Sequence, residues 1–162
     1  MTAWERAYPL LLLVGSLALS VVPLPATVKL FEPDWLAVLI VYFSFTRPAQ
    51  FGLLTAFWFG LGLDVLTGAL LGQNALGLIT ICYLSQRFHL RIRAFPVSQV
   101  IATGLVLLAL YQFMLFWIDG VAGRDVLAIN RVGAVLAGAL ILAVALALNS
   151  NEQHETRARI EA

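Results

Sequence analysis

The chain has 162 residues, 61% of them hydrophobic and 12% charged, against roughly 45–50% and about 25% in soluble domains. Ten Lys+Arg set against nine Asp+Glu leave a net charge of +1, too small a positive surplus to neutralise a phosphate backbone, so nucleic-acid binding is set aside. Cys82 is the single cysteine, which excludes an intrachain disulfide and a cysteine-ligated zinc site.

Taken in chain order, the apolar runs predict helices in lipid, each needing about 20 residues to cross a hydrocarbon core. Residues 7–28 carry no charge and predict a first span near 8–28. Arg6, the leucine run and Ala18-Leu19-Ser20 have the outline of a signal peptide. The run is long for one, and further spans follow, so it reads as an ordinary first helix. Pro23, Pro25 and Pro33 stiffen the next loop, and Trp35 suits the bilayer interface. Segment 34–46 is 13 residues long and reaches only about 20 Å as a helix. It either spans with help from its flanks or re-enters, and Arg47-Pro48 closes it.

Between Arg47 and Arg87 lie 39 residues with one charge, Asp64. A single helix of that length would reach about 60 Å, twice the core thickness. The chain must fold back, and Gly72-Gln73-Asn74 is the polar break, giving spans near 51–71 and 75–90. Runs 94–118 and 132–151 predict spans near 95–118 and 132–149. Residues 150–162 form a short polar tail, in which Glu155 and Arg159 have the i,i+4 order that favours a helical extension. The fold class is an all-α integral membrane protein: one domain of about six transmembrane helices, or five plus a re-entrant segment. A β-barrel is excluded because the runs are continuously apolar rather than alternating.

Charge placement fixes orientation in part. Six spans with the N-terminus inside put Arg6, Arg47, Arg87, Arg91, Arg93, Arg157 and Arg159 in the cytoplasm, and Lys29, Arg124 and Arg131 outside. Five spans with the N-terminus outside exchange Arg6 for Lys29 and score the same. Both arrangements leave the C-terminal tail and the basic edge Arg87, Arg91 and Arg93 cytoplasmic, as an orientation and lipid anchor or a docking surface. The side of the N-terminus stays open.

Asp64 is the sharpest chemical feature, because an acid deep in an apolar span costs about 2.5–3.5 kcal/mol on insertion scales. It lines a polar pocket or accepts a partner's donor; alternatively it is hydrogen-bonded to a neighbouring helix and fixes packing. Gly52, Ala56, Gly60, Asp64, Gly68 and Gly72 recur every four residues. The helical drift lets three or four of them, around Gly60–Gly72, share one face as a small-residue packing stripe. Asn74 is placed to cap the following helix, or with Gln73 to line the outer mouth of whatever Asp64 faces. No catalytic motif, intramembrane acid pair or embedded histidine occurs, so neither an enzyme nor a cofactor is expected.

The run from Gly60 to Leu76, with its Gly-Leu-x-x-Asp stretch followed by Leu-Gly and Ala-Leu, resembles the core signature of MreD, the bacterial rod shape-determining membrane protein family. Pro23-Leu24-Pro25, Pro33-Asp34-Trp35, Tyr42 and Arg47-Pro48 resemble that family's proline-and-aromatic pattern. The resemblance implies a non-enzymatic inner-membrane component of the cell-elongation machinery that supports peptidoglycan synthesis. It implies work with an MreC-like scaffold, with MreB, and with RodA and its penicillin-binding partner, in a chain that can pair as a homodimer. It also implies a six-helix fold like the substrate-binding subunit of energy-coupling factor transporters. The competing function is a substrate-binding membrane subunit of a vitamin or lipid transporter.

Overall fold

The structure, a computed structural model, describes residues 3–21, 32–47, 51–92, 96–124 and 128–161, and among these every regular element is a helix. Six helices follow in order among the described residues: α1 (Ala3–Val21), α2 (Trp35–Thr46), α3 (Leu53–Thr67), α4 (Gln73–Ile92), α5 (Val97–Val121) and α6 (Ala128–Glu161). Pro23 and Pro25 lie outside the described residues, as does Arg93. Every uncharged run thus holds one helix, and the run after Arg47 folds back into two.

The short segment is the centre of the bundle. In α2, Leu36, Ala37, Val38, Ile40, Val41, Phe43, Ser44 and Phe45 are all buried, and α1, α4, α5 and α6 pack around it. A helix that is apolar on every side belongs in a core. Its 12 residues reach only about 18 Å, a length that suits a helix walled by longer ones. It runs from Asp34 at one end of the bundle to the opposite end. There Ser44 Oγ donates to Cys82 Sγ at 3.8 Å, and Phe43 stacks on Phe51 with centroids 4.8 Å apart. Gln86 Nε2 donates to the Phe51 carbonyl beside them, tying the start of α3 to α4.

Two boundaries differ from the sequence expectation. The reversal after α3 falls at 68–72 rather than at Gly72-Gln73-Asn74. Gly68 and Gly72 take φ of 67° and 95°, a left-handed backbone open to glycine at little steric cost. The Gly68 N–H caps α3 by donating to the Asp64 carbonyl, and Gln73 and Asn74 already belong to α4. At the other end of the chain, α6 runs unbroken for 34 residues to Glu161, so residues 150–161 continue the last helix as the Glu155/Arg159 order suggests.

The flanks of the bundle are apolar outward as well as inward. Leu54 is 74% exposed, Trp58 67%, Trp117 65%, Val121 78% and Leu140 67%. Soluble monomers rarely show contiguous apolar patches beyond a few hundred Å². Ser98–Val121 in α5 and Arg131–Leu148 in α6 are long and apolar enough to cross a membrane by length and composition. The outward faces of these helices therefore suit hydrocarbon, while their inward faces build the core.

Candidate functional site

Asp64 is 1% exposed and ends α3 by tying it to α4. Its Oδ2 accepts the Gly72 N–H at 2.9 Å. Its Oδ1 accepts both the Asn74 N–H and Asn74 Nδ2, each at 2.9 Å. Its own carbonyl accepts the Ala69 N–H at 3.1 Å. The first backbone N–H groups of a helix have no intrahelical acceptor, and here a carboxyl from the preceding helix supplies one. Capping is therefore done by Asp64, and Asn74 is a donor to it rather than the cap of α4. Asn74 passes the network on, since its Oδ1 accepts the Tyr111 hydroxyl of α5 at 2.7 Å.

Close backbone approach makes this clamp possible. A Cβ on Gly60 would lie 2.4 Å from Ala75 Cα, so α3 and α4 meet there with no room for a side chain. Ala56 and Leu63 are buried on the same side. Of the expected stripe, Gly60 thus packs within the chain, while Gly68 and Gly72 stand in the turn with open space beside them. Gly77 plays a similar part on α4: a Cβ there would meet the edge of the Tyr111 ring at 2.7 Å, so its absence lets the ring approach α4 and reach Asn74.

A second polar chain lies beside the clamp, at the same end of the bundle. Gln73 Nε2 donates to Asp119 Oδ1 at 2.9 Å, and Arg131 is paired with Asp119 Oδ2. Arg131 also donates from Nη1 to Gln112 Oε1 at 2.9 Å, and Gln112 Nε2 donates to Asp34 Oδ2. The chain joins α4, α5, α6 and the residue before α2. Gln112 and Asp119 lie seven residues apart on one helix, about 10 Å along its axis. Asp34 reaches Gln112 from the start of α2, on the inner side of the ion pair at the end of α5. The recess this leaves is a cup of about 540 Å³, whose polar wall includes Glu32, Asp34, Gln73, Asn74, Asp119 and Arg131.

Among the expected site residues, the structure brings together Asp64, Gly72, Gln73 and Asn74, with Gly60 packing α3 onto α4 below them. Pro33 reaches the cup rim and Trp35 opens α2. Arg47 closes α2 at the opposite end, donating its N–H to the Phe43 carbonyl. Arg87 is exposed on α4 at that far end too, with Arg91 on the last turn of the helix. Sequence reasoning missed Tyr111, Gln112, Asp119 and Arg131. The available signal was Gln112, a strongly polar side chain well inside an uncharged run, where only a buried partner makes its presence tolerable.

Fold and site together define a helical bundle with apolar flanks and one polar, recessed end. Residues 5–150 match the family described as rod shape-determining protein MreD. That is nearly the whole chain, and the chain belongs to the MreD family. Membership gives it a role in rod-shape determination, as a structural membrane component of the cell-shape machinery. No solved structure matches the chain, and the expected likeness to the energy-coupling factor subunit gains no support from that comparison.

Proposed function

We propose that the chain is a multi-pass, non-enzymatic component of the bacterial inner membrane that binds an MreC-like scaffold. In this role it supports peptidoglycan synthesis during elongation, alongside MreB, RodA and its penicillin-binding partner, either singly or as a homodimer. The observation that carries this reading is the family match over 5–150. The outward apolar faces of the bundle supply a surface on which lipid and a partner's transmembrane helix can pack. Asp64, Gly60, Gly68 and Gly72 serve the reading indirectly, by holding the bundle that the partner recognises.

Orientation follows from charge and the alternation of the helices. Ser20 near the end of α1, Asp34, Thr67, Gln73, Asp119 and Arg131 all border the cup, so successive helices run in opposite directions. With Arg87, Arg91 and the end of α6 at the opposite pole, the positive-inside rule puts that pole in the cytoplasm. The cup then opens outward, and both termini are cytoplasmic.

The test is depletion of the protein from its rod-shaped host with restoration from a plasmid. Rods should swell and round up, and recover on restoration, and the MreC-like scaffold should co-purify with the tagged chain. Rods that keep their shape would refute the reading. The cup favours one alternative, a substrate-binding transporter subunit; a nutrient-uptake defect in cells of normal shape would promote it.

A further inference from the structure

We propose that the cup and an adjoining groove together bind one zwitterionic aminophospholipid, headgroup in the cup and an acyl chain in the groove. Several polar groups of the cup are already satisfied within the protein. Asp119 uses both oxygens, on Gln73 and Arg131, and Arg131 is held by Asp119 and Gln112. Asp34 accepts from Gln112 through Oδ2, and its Oδ1 has no hydrogen bond among the described residues. The side chains of Glu32 and Arg124 also line the cup and make no hydrogen bond or ion pair among the described residues. The unmatched groups are therefore two carboxyls from the segment leading into α2 and one guanidinium from the segment after α5. An ammonium and a phosphate on one small ligand complement that set, with charge-assisted hydrogen bonds at each end.

The second observation makes the ligand a lipid. On the outer side of α5 and α6 lies an apolar groove of about 310 Å³, floored by Ala109, Phe113, Phe116, Val135 and Leu136. Arg131 lines both the groove and the cup, and Gln112, its hydrogen-bond partner, lines the groove beside it. A polar recess and an apolar channel meeting at one arginine match an amphiphile. A free amino acid would leave the groove empty, and an anionic lipid would set its charge against Glu32 and Asp34. Arg131 holds Asp119 and Gln112 through its two terminal nitrogens, while its Nε is enclosed without a hydrogen-bond partner among the described residues.

The experiment uses the full chain in detergent with phosphatidylethanolamine, phosphatidylglycerol or glycerophosphoethanolamine, retention being read by native mass spectrometry. One phosphatidylethanolamine per chain should be retained over phosphatidylglycerol. Retention should fall about tenfold or more in Glu32→Gln with Arg124→Gln, and likewise in Leu136→Trp, which fills the groove. Melting temperature of each variant is measured alongside; since the Glu32 and Arg124 side chains make no hydrogen bond or ion pair among the described residues, it should not move in that variant. Equal retention of both phospholipids means annular lipid only and overturns the proposal. Equal binding of water-soluble glycerophosphoethanolamine, unaffected by Leu136→Trp, overturns the lipid assignment in favour of a soluble zwitterion. Neither result bears on the shape phenotype, so this inference and the proposed function fail separately.

Discussion

Replacing Asp64 tests whether it is a clamp between two helices. Asp64→Ala removes the acceptor for the Gly72 N–H, the Asn74 N–H and Asn74 Nδ2. A buried donor left unmet costs about 1–3 kcal/mol. Water can reach the half-buried Gly72 amide but not the two Asn74 donors, so the expected loss is about 3–5 kcal/mol. Asp64→Asn retains one oxygen. If that oxygen stays on Asn74 it serves both donors there, and the new amide NH₂ faces the Gly72 N–H, donor against donor. The loss is then one bond, about 1–2 kcal/mol. Unfolding of the purified chain in mixed micelles, followed by circular dichroism, measures both. An Asp64→Asn variant as unstable as Asp64→Ala would mean that the charge matters and the acceptor geometry does not. An Asp64→Ala loss below about 1 kcal/mol would remove the clamp altogether.

The other predictions use the same measurement. Gly60→Ala should cost about 3 kcal/mol, because its Cβ meets the Ala75 backbone and the helices must separate; Gly15→Ala, with nothing nearby, should stay within about 0.5 kcal/mol of wild type. Gly68→Ala and Gly68→Leu should cost the same, about 1 kcal/mol, since the cost lies in the positive φ and not in space; a much larger loss for Leu would contradict the open surroundings. Arg131→Met should cost about 3–5 kcal/mol by leaving Asp119 buried without its cation. Adding Asp119→Leu to it should recover most of that loss, and a double variant as unstable as the single one would refute the pairing.

Length and hydropathy alone govern the placing of the helices along the chain. Uncharged runs bounded by Glu5 and Arg6, Arg47, Arg87 and Arg131 delimit the helices, because a charge inside lipid is costly wherever the rest of the chain lies. One acid in 39 residues likewise marked Asp64, since that cost is local. The i,i+4 order of Glu155 and Arg159 announced the helical end of the chain for a similar local reason. The family signature, too, is a property of residue order.

Tertiary structure decided everything that depends on which helix lies beside which. Segment 34–46 looked too short to span, and only its neighbours show that α2 is the walled centre of the bundle. Uniform hydropathy cannot distinguish a helix facing protein from one facing lipid. The four-residue spacing of Gly60, Gly68 and Gly72 was legible, but its meaning was not. Gly60 packs against Ala75, whereas the other two turn the chain, and only backbone dihedrals separate those uses. The polar chain from Gln73 through Asp119, Arg131 and Gln112 to Asp34 joins residues up to 97 positions apart in sequence. No periodicity records such a pairing, because the hydrogen bonds that justify each buried polar group exist only once the helices have met.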